Sequence, residues 1–448
     1  MNCLLEILLA VTILTQENDF NSNALNTQYS GFTQIYPKDF WEKESLLLAK
    51  RLPIQSEGRV KPWNTYARFL LLRFSGRTSV RLSDGSKITP IQWLLDTLFF
   101  PEISYSYPVF IVHDEVVLES LGLKTHGKKR DRYSYRELIP IRDKLISQYL
   151  TLRNIPPQKR SYIQDQTVIL AENILSYEEI INYLEFANKK IFIPPGASFS
   201  NLYPSSSVSL VELIKTFPKI KKSLKEESQK LSPDESQKDL SAIKEILKQV
   251  SELVRSAEHF AILPPRQNAS DLWDSPIGNV IDVFDPEKDT LPDTNILELF
   301  YELQNSKTDK AKFNSTFITL SQRILEKSQN YKEYKKIPLE VSYYDLNLLF
   351  YSQWIFFLAV ILTAIWWLFI TNKILKFSVY LTNSIGLMFL ISAITLRCII
   401  RERPPVTTLY ETILFSTMVA VALSLIVEKF HREGILLSVT SFLGLLGV

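Results

Sequence analysis

The chain has 448 residues, 51 Lys+Arg against 48 Asp+Glu, and a net charge of +3. That balance excludes the strong one-sided basic excess of a nucleic-acid footprint. With 12 Gly and two Cys (Cys3 and Cys398), a fold built on glycine-rich phosphate loops, a disulfide framework and a cysteine-built tetrahedral metal site are excluded as well.

The charge is unevenly spread. Residues 1–344 hold 44 basic and 43 acidic side chains, residues 345–448 only 7 and 5. The chain therefore divides into residues 1–19, a mostly helical region at 20–345 and a membrane part at 346–448. The apolar run Ile7–Leu14 has the length of a signal-peptide core, but Glu6 interrupts it and no Lys or Arg precedes it. A signal peptide, a partial anchor and a helix of the soluble region all remain open for 1–19.

Thr65–Phe74 reads as a helix with an apolar face. Ile91–Phe100 reads as an amphipathic helix started by Thr89-Pro90, and Val109–Val112 as a short strand. Gly127–Arg132 is a basic turn, solvated or facing an anionic partner. Gln164–Lys189, Ser207–Leu231 and Ser232–Phe260 read as helices, the last with Ser232 as N-cap, Pro233 at the first position and an apolar stripe of Ile243, Leu247, Val250 and Val254. Breaks fall near 194–206 and 263–276, and Ile296–Leu303 and Phe313–Tyr334 return to helix.

Residues 346–372 carry no charge, with Trp354, Trp366 and Trp367 placed as an aromatic belt. Phe377–Leu396 and Thr412–Val427 are further charge-free spans. A fourth begins at Gly434 and is still apolar at Val448, short of the ~20 residues needed to cross, so continuation of the membrane domain is expected. The fold class that follows is an α-helical membrane bundle of three full spans (about 350–370, 377–397, 408–427) and a partial fourth (435–448). It is preceded by a large, mainly α soluble region with a few short strands. Lys373, Lys376, Lys429 and Arg432 flank one side and Arg397, Arg401 and Arg403 the other. The positive-inside rule then places 20–345 outside the cytoplasm.

Nucleotide, zinc-protease, redox and nucleophile-elbow motifs are missing from the sequence. His113, His126, His259 and His431 share no metal-ligand spacing and read as structural, so no catalytic or metal-ligating residue is assigned. Two segments stand out. In Leu52–Arg68 (LPIQSEGRVKPWNTYAR), Gly58 permits a turn, Arg59 and Lys61 present cations beside it, Pro62 stiffens the exit, and Asn64 or Thr65 can cap the next helix. In Arg401–Glu411 (RERPPVTTLYE), Pro404 and Pro405 separate two spans, and Arg403 and Glu411 lie near the lipid boundary. A carboxylate there needs a partner or an aqueous cavity. The segment is either an interface anchor or the polar mouth of a ligand site.

RERPPVTTLYETILF resembles the G-R-P-P-V-[ST]-N-L-Y-E-[ST] segment of system II cytochrome c assembly proteins, the CcsA/ResC-type haem-handling membrane proteins. Glu402 stands at the family's Gly and Thr408 at its frequent Asn. LPIQSEGRVKPWNTYAR is similar to the L-P-[VI]-Q-x-x-G-R-[VI]-K-P-L-[DN]-T-x-A segment of the large extracytoplasmic domain joined to that membrane domain in some bacteria, with Trp63 for Leu. QWLLDTLFFPE, FIVHDEVV and the Pro-Pro breaks before Leu272-Trp273 fit the same region.

The resemblance implies a multi-pass protein of the bacterial inner (cytoplasmic) membrane. Such a protein holds haem as cofactor and presents it to apocytochrome c, whose C-x-x-C-H cysteines become thioether-linked to the haem vinyl groups. Partners implied are that apocytochrome, other cytochrome c assembly membrane subunits and the lipid bilayer, with no nucleic acid. The activity implied is that of a haem lyase. The family's W-G-x-x-W-x-W-D haem signature is missing from this sequence, and its place in the family is downstream of the Arg-Pro-Pro segment. Haem ligands are therefore expected beyond Val448, and none is named here. Gly58, Arg59, Lys61, Pro62, Arg403, Pro404, Pro405, Tyr410 and Glu411 carry over as family-motif positions without an assigned role. A non-catalytic, membrane-anchored scaffold that recruits apocytochrome or other subunits is the alternative. A transporter or sensor domain, which needs polar pairs within the spans, has only Glu411 and Asn383 to offer.

Overall fold

The computed structural model describes residues 40–448 except 83, 114, 124–130, 196–197, 204, 228–232, 266–271, 279, 285–293 and 432. The leader, most of the 127–132 turn, His126, the Ser232 cap and Arg432 lie outside the described residues. The chain forms two compact units, 1–331 and 332–448.

In the first unit, α1 (Lys43–Lys50) leads into the antiparallel hairpin of β1 (Pro53–Ser56) and β2 (Arg59–Pro62). Ser56 pairs with Arg59, and the two-residue turn Glu57-Gly58 has φ of +53° and +75°. Both values are left-handed, as a tight hairpin turn matching strand twist requires, so Gly58 is needed at its place. Then follow α2 (Trp63–Ser75), the strand pair β3 (Val80–Arg81) and β4 (Lys87–Ile88), α3 (Pro90–Phe99), β5 (Pro108–Val112) pairing with β6 (Asp131–Ser134), α4 (Arg142–Leu152) and α5 (Tyr162–Asn182). The strand pair β7 (Ile191–Phe192) and β8 (Ser207–Val208), α6 (Leu210–Glu227), α7 (Pro233–Ala257), α8 (Thr294–Asn305) and α9 (Lys310–Ser328) complete it, with shorter helical turns between.

Several boundaries differ from expectation. α2 begins at Trp63 directly after Pro62, so Asn64 and Thr65 are buried first-turn residues rather than caps. The 164–189 helix stops at Asn182 and restarts as a single turn at Glu185–Asn188. Ser207 belongs to a strand, and Phe313–Tyr334 ends as α-helix at Ser328. His259 lies two residues beyond the end of α7.

The core packs where aromatic side chains converge. Phe40, Trp41, Phe99, Phe100, Phe313 and Phe317 pack with centroid separations of 4.8–6.0 Å, an arrangement aromatic quadrupoles favour. Asn314 of α9 ties this cluster to α1. Its Oδ1 accepts from the Ser45 hydroxyl (2.7 Å) and the Glu42 amide (3.0 Å), and its Nδ2 donates to the Phe40 carbonyl (3.0 Å). Asp96 of α3 is buried beneath the cluster, where it accepts from Trp41 Nε1 (2.7 Å) and the Tyr107 hydroxyl (2.8 Å). On another side, Arg142 forks onto Glu178 through two bonds of 2.5 and 2.7 Å, and the Tyr135 hydroxyl donates to the same carboxylate (2.8 Å).

The second unit is helical among its described residues. α10 (Ile337–Leu346) packs on α12 (Lys373–Arg401) through Tyr343, Ala393 and Ile400. Because of that contact the division between units falls before residue 345. α11 (Leu348–Leu368), α12 and α13 (Leu409–His431) are long and apolar enough to cross a membrane. α14 (Ile435–Gly447), at about 20 Å, is shorter than a span. α11 lies against α12 and α14, and α13 against α14 and α12. Close approach depends on small residues: the Phe356 ring of α11 sits where a Cβ at Gly386 or Gly444 would be, 3.1 and 2.3 Å away. Asn383 Nδ2 donates to Ser441 Oγ (2.8 Å), which lies 3.1 Å from Thr363 Oγ1. That chain of polar atoms joins α12, α14 and α11. Trp354 and Trp367 are exposed on the bundle, as belt residues are, whereas Trp366 is buried against Gly434.

Burial raises the Asp96 pKa from 3.8 to about 6, against the lowering effect of its two donors. Folding thus favours the protonated form, and this group's stabilisation is complete below pH 3.8 and lost as pH rises through about 6. Asp96→Asn removes the dependence. The difference in unfolding free energy between variant and wild type should shift in the variant's favour by about 3 kcal/mol between pH 3.5 and 7.5. Denaturant titrations at the two pH values check it, and a difference independent of pH contradicts it.

Candidate functional site

The Arg-Pro-Pro segment joins α12 to α13. α12 ends at Arg401, and Glu402 follows with φ +51°, its N–H donating to the Cys398 carbonyl at 2.8 Å. A left-handed residue closing a helix is usually glycine, because a Cβ is strained there. Glu402 adopts it all the same, and its carboxylate pairs with Lys336 Nζ at 2.6 Å. That bond and the Lys336 charge hold the Glu402 carboxyl below the usual carboxylate range. Pro404 and Pro405 cannot continue the helix. Thr408 then caps α13: its carbonyl accepts the Thr412 amide (2.9 Å) and its hydroxyl the Glu411 amide (3.3 Å).

The cap sets Glu411 in the first turn of α13, where it is 3% exposed. Its Oε1 accepts from Arg397 Nε at 2.8 Å and lies 3.5 Å from Arg403 Nη2, and its Oε2 accepts from the Thr407 hydroxyl at 2.6 Å. The closer cation is thus Arg397, one helix back, which the sequence reading did not pair with Glu411. Tyr410 lies beside Arg397, its ring centroid 5.8 Å from the guanidinium carbon. Two guanidinium groups share one carboxylate, which leaves a net positive cluster. Among the described residues, Arg403 Nε is buried without a hydrogen-bond partner. An open depression of about 500 Å³ adjoins it, walled by Cys398, Ile399, Pro404 and Pro405 and edged by Glu402 and Arg403. Chemically this is an apolar shelf whose rim carries one guanidinium, Arg403, and one carboxylate, Glu402.

A second ion cluster went unnoticed in the sequence because Glu428 reads there as a loop residue. α13 runs on to His431, and Glu428 is 3% exposed. It accepts from Lys376 Nζ of α12 (2.9 Å) and from the Gly434 amide at the start of α14 (2.8 and 3.0 Å). Lys376 Nζ lies 5.8 Å from the Trp366 ring centroid.

The other motif positions lie in the first unit. Lys61 is 4% exposed and joined to Glu57 of the turn at 2.9 Å, so it does not stand free beside Gly58 as expected. Gln55 ties the hairpin to the 261–274 segment: its amide donates to the Ala261 carbonyl (2.9 Å) and its Oε1 accepts the Trp273 amide (2.8 Å). Trp63 is buried, with its Nε1 donating to the Pro53 carbonyl (3.1 Å) and its ring packed edge-on to Phe260. Arg59 is half-buried and Pro62 buried.

Among the described residues no group of three or more His, Cys, Asp or Glu side chains is placed to hold a metal ion. His113 lines a cavity of about 100 Å³, well under the ~300 Å³ at which cofactor sites begin. His259 and His431 are exposed beyond or at helix ends. The described histidines therefore do not build a haem pocket. No family model matches the chain, and no curated protein matches it.

Breaking the Arg397–Glu411 pair leaves a charge in a poorly solvated place, which costs about 3 kcal/mol. Glu411→Gln should destabilise the bundle by that order, and Arg397→Gln added to it should recover part of the loss. Unfolding of single and double variants in mild detergent measures the coupling, and strict additivity contradicts the pairing. Glu402→Val, β-branched at a left-handed position, should lower the melting temperature, while Glu402→Gly should not.

Proposed function

We propose that this protein is a system II cytochrome c assembly protein, one that handles haem at the outer face of a bacterial inner membrane and delivers it to apocytochrome c for thioether attachment. Haem is cargo in this reading. The observation that carries it is backbone geometry. The family's glycine falls at Glu402, whose φ is +51°, and its frequent asparagine falls at Thr408, which caps α13. Both departures occur where the fold explains the family's usual residue: a left-handed helix end favours Gly, and Asn and Thr both cap helices.

The soluble unit supports the same reading. Its resemblance-bearing segments, distant in sequence, are bonded to each other through Gln55 and Trp273. The apolar shelf with Arg403 at its rim is complementary to a haem edge, which is apolar carbon ending in carboxylates, although the Glu402 carboxylate shares that rim. No described residue is assigned to the iron, and no bond-making step is routed through this segment.

Deleting the gene in its source organism should abolish covalent haem on c-type cytochromes, read as peroxidase-active bands on denaturing gels, and leave non-covalent b-type cytochromes intact. Restoring the gene should restore the bands. Normal covalent haem in the deletion strain would overturn the proposal.

A further inference from the structure

The helical hairpin of α4 and α5 carries apolar surface that the described residues do not cover. α4 packs chiefly on α5, and Leu145 alone of its residues is buried. Ile146, Tyr149, Leu150 and Leu152 are left half-buried or exposed. The exposure is greatest where the two helices are joined. Leu150 is 48% exposed, Tyr162 60% and Ile163 37%, with Pro156 and Pro157 exposed between them. One exposed apolar side chain is ordinary, but several on a single turn mark an interaction surface.

The charges of that turn are of one sign. Residues 150–163 hold Arg153, Lys159 and Arg160 and no carboxylate. Arg160 is used by the fold: its Nε donates to the Ile155 carbonyl at 2.9 Å, its Nη2 to the Arg153 carbonyl at 3.3 Å, and its Nη1 lies 3.7 Å from Asp165. Ser161 and Gln164 close the start of α5 reciprocally, through bonds of 2.9 and 3.3 Å. The turn is thus held in shape before any partner arrives, so little conformational freedom is lost on docking. Arg153 and Lys159 are exposed, and neither forms an ion pair among the described residues.

A tyrosine, two aliphatic side chains and two outward cations on one short turn suit the interface of a bilayer. Aromatic and aliphatic groups enter the headgroup layer there, and cations meet its anionic groups. The chain has three helices long enough to cross a membrane, so phospholipid is at hand. Self-association through this turn would set like charges against each other. We propose that the tip of the α4–α5 hairpin docks on an anionic phospholipid surface. Leu150, Tyr162 and Ile163 enter the headgroup layer, and Arg153 and Lys159 meet the lipid phosphates.

The test places one environment-sensitive NBD label at Gln158→Cys, an exposed tip position, in the full chain with all its native cysteines replaced by Ser. The protein is held in nanodiscs of phosphatidylcholine alone, or of phosphatidylcholine and phosphatidylglycerol in equal parts. Vesicles of the matching lipid are added in excess, so that a surface is offered whichever way the tip faces. In the anionic lipid the label should brighten and shift to the blue, and doxyl-labelled lipid should quench it. Arg153→Gln combined with Lys159→Gln should lower the ratio of docked to free tip about thirtyfold, from roughly fivefold per cation. Raising salt from about 0.1 M to about 1 M, which shortens the screening length from about 10 Å to about 3 Å, should lower it as well. Leu150→Ser combined with Tyr162→Ser, both at exposed positions, should abolish the quenching. Equal signals in the two lipids, or an unchanged signal in the chain lacking both cations, would overturn the proposal. So would a blue shift that doxyl-labelled lipid does not quench, which would assign the tip to a protein partner.

Discussion

Two carboxylates on one helix, Glu411 and Glu428, organise the membrane bundle. Each is almost wholly buried, and each is met by a cation of α12, Arg397 at one end and Lys376 at the other. With a rise of about 1.5 Å per residue, the two carboxylates stand about 26 Å apart along α13. That is close to the ~30 Å of a hydrocarbon core, so each pair falls where a charge can still reach headgroups or water. Between them the contacts are apolar or uncharged: Phe356 wedged against Gly386 and Gly444, and the Asn383–Ser441–Thr363 chain. Each end pair also shapes what lies beyond it. Glu428 holds the start of α14 through the Gly434 amide, and Glu411 gathers Arg403 and Thr407 into the Arg-Pro-Pro turn.

The soluble unit relies on the same device in another solvent. Its buried polar groups sit where distant parts of the chain must be joined: Asn314 between α9 and the segment before α1, Glu178 between α5 and α4, Gln55 between the hairpin and the 261–274 segment. Apolar packing around them supplies most of the cohesion, and the polar groups specify which surfaces meet. Asp96 is the exception: its two donors do not offset its burial.

What could be read from the sequence follows from how local each signal is. Charge-free stretches revealed the spans because lipid tolerates little else, and Thr89-Pro90 marked the start of α3 by local capping chemistry. Partners could not be read, because pairing is tertiary. Glu411 invited a search for a cation, but its nearest one, Arg397, lies within a helix and not in the turn beside it. Glu428 passed for a loop residue since the hydrophobic run stops at Val427, though the helix continues. Asp96 lies in a helix read as amphipathic, and its burial depends on Trp41 and Tyr107 arriving from other elements. Lys61 looked like an exposed cation beside a turn until the hairpin folded Glu57 over it.

The haem-handling reading requires the Arg-Pro-Pro turn to face the side on which cytochrome c is assembled. That orientation can be measured without knowing the haem ligands. Val406 is exposed in the turn, so Val406→Cys in a chain with all its native cysteines, Cys3 and Cys398 included, replaced by Ser provides a single reporter. In right-side-out membrane vesicles, a membrane-impermeant maleimide should label that cysteine without permeabilisation. Labelling only after the vesicles are opened would place the turn on the cytoplasmic side and contradict the account.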